Sequence, residues 1–112
     1  MPSDCVFCAI AAGDLPADVV YSDDDVVAFK DRGPQAPVHV LVIPRTHVAD
    51  IGAAAADPSV AAALLAGIAQ TATALQLRDY RVVFNTGAGA GQTVFHVHAH
   101  VLAGRALKWP PG

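Results

Sequence analysis

His96-Val97-His98-Ala99-His100-Val101-Leu102 places three imidazoles at strict two-residue spacing, with apolar residues between them. That alternation is the pattern of a β-strand with one polar and one buried face. At a rise of about 3.3 Å per residue, neighbouring side chains on the polar face stand roughly 6–7 Å apart. Three ionisable rings side by side on a half-buried strand are costly to desolvate unless they bind a metal or carry chemistry. A single histidine there would read as a hydrogen-bonded core residue; three in register do not. The interleaved Val97, Ala99 and Val101 and the internal position exclude a polyhistidine tag.

Around this stretch lies a chain of 112 residues, the length of a single domain covering 1–112. Its apolar fraction of 54% is inflated by small residues and implies no membrane. The longest apolar tract, Ser59 to Ala69, is too short to cross a bilayer. Met1-Pro2-Ser3-Asp4 has neither the basic nor the apolar region of a signal peptide. A net charge of −3 gives no electrostatic footprint for nucleic acid. Two cysteines three positions apart cannot frame a secreted disulfide domain. The expectation is a cytoplasmic protein with no nucleic-acid or membrane partner.

Periodicity divides the chain into short elements. Val6 to Ala12 reads as a short helix stopped by Gly13. Val19–Ser22 and Val26–Lys30 read as strands around Asp23-Asp24-Asp25. Pro37 and Pro44 confine the next strand to Val38–Ile43, apolar on both faces except at His39 and therefore central in its sheet. Asp57-Pro58 is a helix start, and Val60, Leu64, Ile68 and Leu75, with Leu65 beside them, form one stripe of a helix running to about Leu77. Arg81–Asn85 and Val94–Leu102 read as strands flanking the loop Thr86–Gln92. Strands and helices in this order argue an α+β fold, a mostly antiparallel sheet with one long helix on one face.

Five histidines, His39, His47, His96, His98 and His100, all fall in or beside candidate site segments. Cys5 and Cys8 have the gap that lets two thiolates reach one ion. They also fit a redox pair or two buried apolar residues at a helix start. The metal reading needs two more ligands, and His47 and His96 are available; two thiolates and two neutral imidazoles would leave Zn²⁺ formally uncharged. The glycine-rich loop before the histidines is neither a P-loop nor a Rossmann turn, since a strand follows it. Its glycines let backbone N–H groups approach an anion closely. Asp31, taken alone, is a turn-capping residue, and Phe7, Ile10, Leu15 and Leu41 are core.

The His-φ-His-φ-His-φ-φ pattern (φ apolar) resembles the histidine triad (HIT) superfamily. The flanks Gly91-Gln92-Thr93-Val94-Phe95, Ala103-Gly104-Arg105 and Trp109-Pro110-Pro111-Gly112 resemble its HINT branch, the nucleoside phosphoramidases. Gln35 through Pro44 and Cys5-Val6-Phe7-Cys8 are similar as well. The resemblance implies a HIT-like sheet of about five strands with one long and one short helix. It implies hydrolysis of P–N bonds in purine nucleoside 5′-phosphoramidates through a nucleotidyl-histidine on His98, with no cofactor required for catalysis. Dinucleoside polyphosphate hydrolysis and a non-catalytic purine-nucleotide-binding adaptor are the alternatives. His39 and His100 would donate to the non-bridging oxygens, and Asn85, Gly91, Gln92 and Thr93 would surround the phosphate and leaving group. Asp31 would bind the ribose hydroxyls, and Phe7, Ile10, Leu15 and Leu41 would wall the purine. A structural zinc on Cys5, Cys8, His47 and His96, and a homodimer with the C-terminal segment beside the site, complete the expectation.

Overall fold

The computed structural model describes residues 4–112; Met1-Pro2-Ser3, on which the absence of a leader was partly read, lie outside them. The elements are α1 (Val6–Ala12), β1 (Val19–Ser22), β2 (Val26–Lys30), β3 (Val38–Pro44), α2 (Ile51–Ala55), α3 (Pro58–Ala74), β4 (Arg81–Val83), a 3₁₀ turn (Ala88–Ala90) and β5 (Ala99–Ala103). One five-stranded sheet has the order β1-β2-β3-β5-β4, antiparallel at every pairing. β3 is its middle strand, as the apolar run around His39 implies.

Alternation along β3 sends Val40 and Val42 to one face and His39, Leu41 and Ile43 to the other. The first face packs on the helices: Val26, Ala28, Val40, Val42, Ala99 and Val101 meet Ala54, Val60, Leu64 and Ile68. Asp57 caps α3 by accepting from the Val60 N–H, with Pro58 behind it. The helix comes so close to the sheet at Gly67 that a Cβ there would lie 2.5 Å from the Val26 side chain. Truncating Leu64 or Ile68 to alanine in this layer costs about 2–5 kcal/mol. The opposite face gathers Phe7, Val27, Phe29, Leu41 and Ile43 beneath α1. That helix ends at Gly13, whose φ of 81° suits glycine.

Four expectations need correction. The second short helix, α2, was not anticipated; Asp50 caps it by accepting from Ala53 N–H, but five residues are too few to display a period. α3 ends at Ala74 rather than Leu77, because the chain turns through Gln76 at φ 58°. Leu65 is exposed, outside the buried stripe. The strands around the glycine loop are also shorter than their apolar patterns. β4 stops at Val83, and β5 begins at Ala99, so only His100 of the three triad histidines lies in a strand. Before Ala99 the chain leaves the sheet and is held by the segment after β3: Val97 N–H donates to Val48 O at 2.7 Å.

Candidate active site and metal centre

α1 carries Cys5 at its cap and Cys8 in its first turn, while His47 follows β3 and His96 precedes β5. Their ligand atoms all lie within 4.8 Å of one another, close enough to hold a metal ion. His96 Nδ1 stands 3.5 Å from each sulfur and 3.2 Å from His47 Nδ1; Cys8 Sγ is 3.3 Å from His47 Nδ1. His96 Nε2 lies 2.8 Å from Pro44 O. A carbonyl only accepts, so the His96 proton sits on Nε2 and its Nδ1 lone pair faces the cluster. Burial pushes the Cys8 thiol up to about 11, with the Cys5 hydrogen bond adding to it; an adjacent cation reverses that penalty. Burial likewise lowers the His96 pKa, with His47 and His98 adding to it against the Pro44 hydrogen bond.

His98 Nδ1 lies 2.9 Å from His96 O, so it donates there and leaves its Nε2 lone pair free. The imidazole packs edge-on against Phe7 at 5.1 Å and beside His100 at 5.1 Å between ring centroids. His39 is placed differently from its expected role. The Gln35 main-chain N–H donates to His39 Nδ1 at 3.0 Å, and His39 Nε2 lies 2.9 Å from His100 Nδ1. Both nitrogens of His39 are therefore engaged, and it has no N–H left for a substrate oxygen. Burial lowers the His100 pKa, His98 and His39 lower it further, and Asp31 opposes them.

Asp31 does two things at once. Its Oδ1 accepts from Gly33 N–H at 2.7 Å, the turn-capping role, while Oδ2 stands 3.4 Å from His39 Nε2. With Phe7, Ile10, Leu15 and Leu41 it lines one cleft of about 1050 Å³. All five residues expected to hold a nucleoside are thus brought together. Phe29, Arg32 and Pro34 line the same cleft and were not singled out. Phe29 was recoverable, because it shares a strand face with Val27; Arg32 and Pro34 carried no signal beyond adjacency to Asp31.

The phosphate loop meets expectation less well. Gln92 is buried, its Oε1 accepting from Gly87 N–H and its Nε2 donating to Ala49 O and Val94 O. Its amide thus fastens the loop instead of facing a phosphate. Thr93 is exposed, Gly91 adopts a φ of 95°, and Asn85 is half-buried beside Gly91. In the tail, Arg81 donates to the Leu107 and Lys108 carbonyls and lies 5.8 Å from the Trp109 ring centroid. The segment is anchored while Trp109 stays 79% exposed. Among the described residues, no helix is long and apolar enough to cross a membrane.

Comparison with known proteins agrees with this geometry. A family model described as HIT domain matches residues 12–107. An uncharacterized HIT-like protein of Synechococcus elongatus is 45% identical, the alignment covering 100% of both chains. Among solved structures, a HIT family hydrolase from Legionella pneumophila is 45% identical with a TM-score of 0.90, covering 97% of this chain and 100% of that one. A histidine triad protein from Clostridium difficile is 36% identical with a TM-score of 0.90, covering 96% of each.

Proposed function

The chain belongs to the HIT domain family, and on that premise we propose that it is a HINT-branch hydrolase of purine nucleoside 5′-phosphoramidates. The observation that carries this reading is His98. Its Nδ1–H is committed to His96 O, so a neutral Nε2 lone pair is presented beside the His100 ring. Nε2 attacks phosphorus, the P–N bond breaks, and the electron pair leaves on the amine nitrogen, which takes a proton from solvent. Water then attacks phosphorus and breaks the P–Nε2 bond, releasing the nucleoside monophosphate. His100 donates an N–H to a non-bridging oxygen as charge develops there. The base lies against Phe7, Ile10, Leu15 and Leu41, and Asp31 Oδ2 accepts from a ribose hydroxyl.

Zinc suits the Cys5, Cys8, His47 and His96 cluster. For tetrahedral Zn²⁺, with Zn–S about 2.3 Å and Zn–N about 2.05 Å, ligand atoms sit about 3.4 Å apart for N to N and about 3.6 Å for N to S. The distances of 3.2, 3.3, 3.5 and 3.5 Å lie within a few tenths of that tetrahedron. With four protein ligands the site is closed and structural, and reduced thiols fit a cytosolic setting. A homodimer extends the reading. β4 is a three-residue edge strand with Val82 exposed, and Arg81 fixes the tail beside it, so a second copy pairing there would cover the edge. Light scattering at micromolar concentration should then give about twice the 11.5 kDa chain mass.

The discriminating experiment offers an adenosine 5′-phosphoramidate and a diadenosine polyphosphate in parallel and measures AMP release. Turnover of the phosphoramidate alone supports the reading. Faster release from the polyphosphate moves the chain to the other hydrolase class, and release from neither makes it a binding domain.

A further inference from the structure

We propose that the main-chain N–H of Gln35 fixes His39 and His100 as neutral imidazoles with their protons on Nε2, so that the pair supplies one permanent N–H donor and no transferable proton. A backbone N–H can only donate, so His39 Nδ1, 3.0 Å away, must hold a lone pair. The His39 proton is therefore on Nε2, and at 2.9 Å it is given to His100 Nδ1. That nitrogen accepts, which leaves the His100 proton on its own Nε2.

An added proton has no free position. Both Nδ1 lone pairs in the pair are already accepting, and protonating either would set one N–H against another. The titratable groups facing the pair are Asp31 from the β2–β3 turn and His98 from the segment before β5. Asp31 Oδ2 is a carboxylate acceptor 3.4 Å from His39 Nε2, on the side where the His39 proton sits. Burial lowers the His100 pKa before its neighbours contribute. The Gln35 peptide is itself held: its carbonyl accepts from Arg105 Nε at 3.0 Å, and its side-chain Nε2 donates to Gly33 O at 3.0 Å. Gln35 is thus a positioning residue that acts through His39.

Asp31, His39 and His100 also bring donor atoms within 4.8 Å. A metal at His39 Nε2 would need its proton moved to Nδ1, where the Gln35 N–H already points. The cluster is therefore arranged as a hydrogen-bond chain, not as a cation site.

The inference draws on the hydrolase reading only for the identity of the oxygen that His100 faces, and spectra taken without nucleotide test it independently of turnover. Imidazole ¹⁵N spectra of the protein as purified should show His39 and His100 with bare Nδ1 and protonated Nε2. A protonated Nδ1 on either ring overturns the assignment. His39→Ala should lower kcat on the order of 10²-fold, the effect of misaligning one donor. His39→Gln, whose amide can replace the Nε2–H, should recover about tenfold of that loss; equal losses in the two variants contradict the chain. A folded Gln35→Pro, lacking the N–H, should let the His39 proton appear on Nδ1 in the same spectra, and a His39 protonated only on Nε2 there overturns the role of Gln35. If Gln35→Pro does not fold, the wild-type spectra decide.

Discussion

Two histidine clusters sit on the same side of this sheet, built from the same side chain, and they are wired in opposite senses. In the Cys5, Cys8, His47 and His96 cluster, Nδ1 atoms converge at 3.2 Å, and a carbonyl behind His96 removes its proton from the meeting point. In the Asp31, His39 and His100 cluster, an N–H behind His39 places its proton at the meeting point, 2.9 Å from the next ring. The difference lies in the backbone group behind each ring. A carbonyl there turns lone pairs inward toward a cation; an N–H there makes a hydrogen-bond chain. His98 stands between them, tied by its Nδ1–H to the carbonyl of His96 in the first cluster and packed against the last ring of the other.

The comparison breaks most visibly if metal and rate cannot be separated by mutation. Removing both thiols, in Cys5→Ser with Cys8→Ser, should take zinc from about one per chain to none and lower the unfolding midpoint strongly, since binding energy at a closed site is folding energy. Metal analysis of protein purified without chelator, paired with thermal melts, reads this; zinc-free wild type with unchanged stability in the variant would end the metal assignment. His100→Ala should do the reverse. Zinc content stays, while steady-state kinetics show a kcat loss on the order of 10²–10³-fold. Asp31→Asn should sharpen the second cluster further, raising KM roughly tenfold through the lost charged acceptor with kcat less affected.

The smallest effect belongs to the helical layer, which should move neither metal nor rate. The Ser59 hydroxyl and then the Val60 N–H hold the Asp57 carboxyl below its ordinary range. A carboxyl depressed in the folded state stabilises above the unfolded pKa of about 3.9, and its contribution is lost as pH falls through the folded value. Asp57→Ala should therefore melt earlier than wild type at neutral pH, and the two curves should converge in acid. A gap that persists in acid would point to a cause other than the ionised cap.

Much of this was legible in the sequence where a local period had a long element to act on. β3 was placed at the centre from the apolar run around His39, and α3 from Asp57-Pro58 and its stripe. Cys5, Cys8, His47 and His96 were grouped by ligand chemistry, and Phe7, Ile10, Leu15, Leu41 and Asp31 by resemblance; the structure brings each set together. What was missed depends on the main chain. The Val94–His98 stretch alternates like a strand, yet its partners are Gln92 Nε2, Pro44 O and Val48 O reached from single atoms, and no side-chain period encodes that. Gln92 was placed beside the phosphate by resemblance alone, but three backbone groups engage its amide. Gln35 contributes only its N–H to the site, and a backbone donor leaves no mark in the residue type.

The central claim is that His98 attacks phosphorus, and the most direct measurement traps the product of that attack. Quenching the enzyme in acid-free denaturant during turnover of an adenosine 5′-phosphoramidate should add one nucleotidyl mass to the tryptic peptide Val82–Arg105, localised to His98. The adduct should be absent in His98→Ala, which loses activity by about 10⁴-fold or more while still binding AMP. An adduct on His39 or His100, or full activity in His98→Ala, would contradict the account.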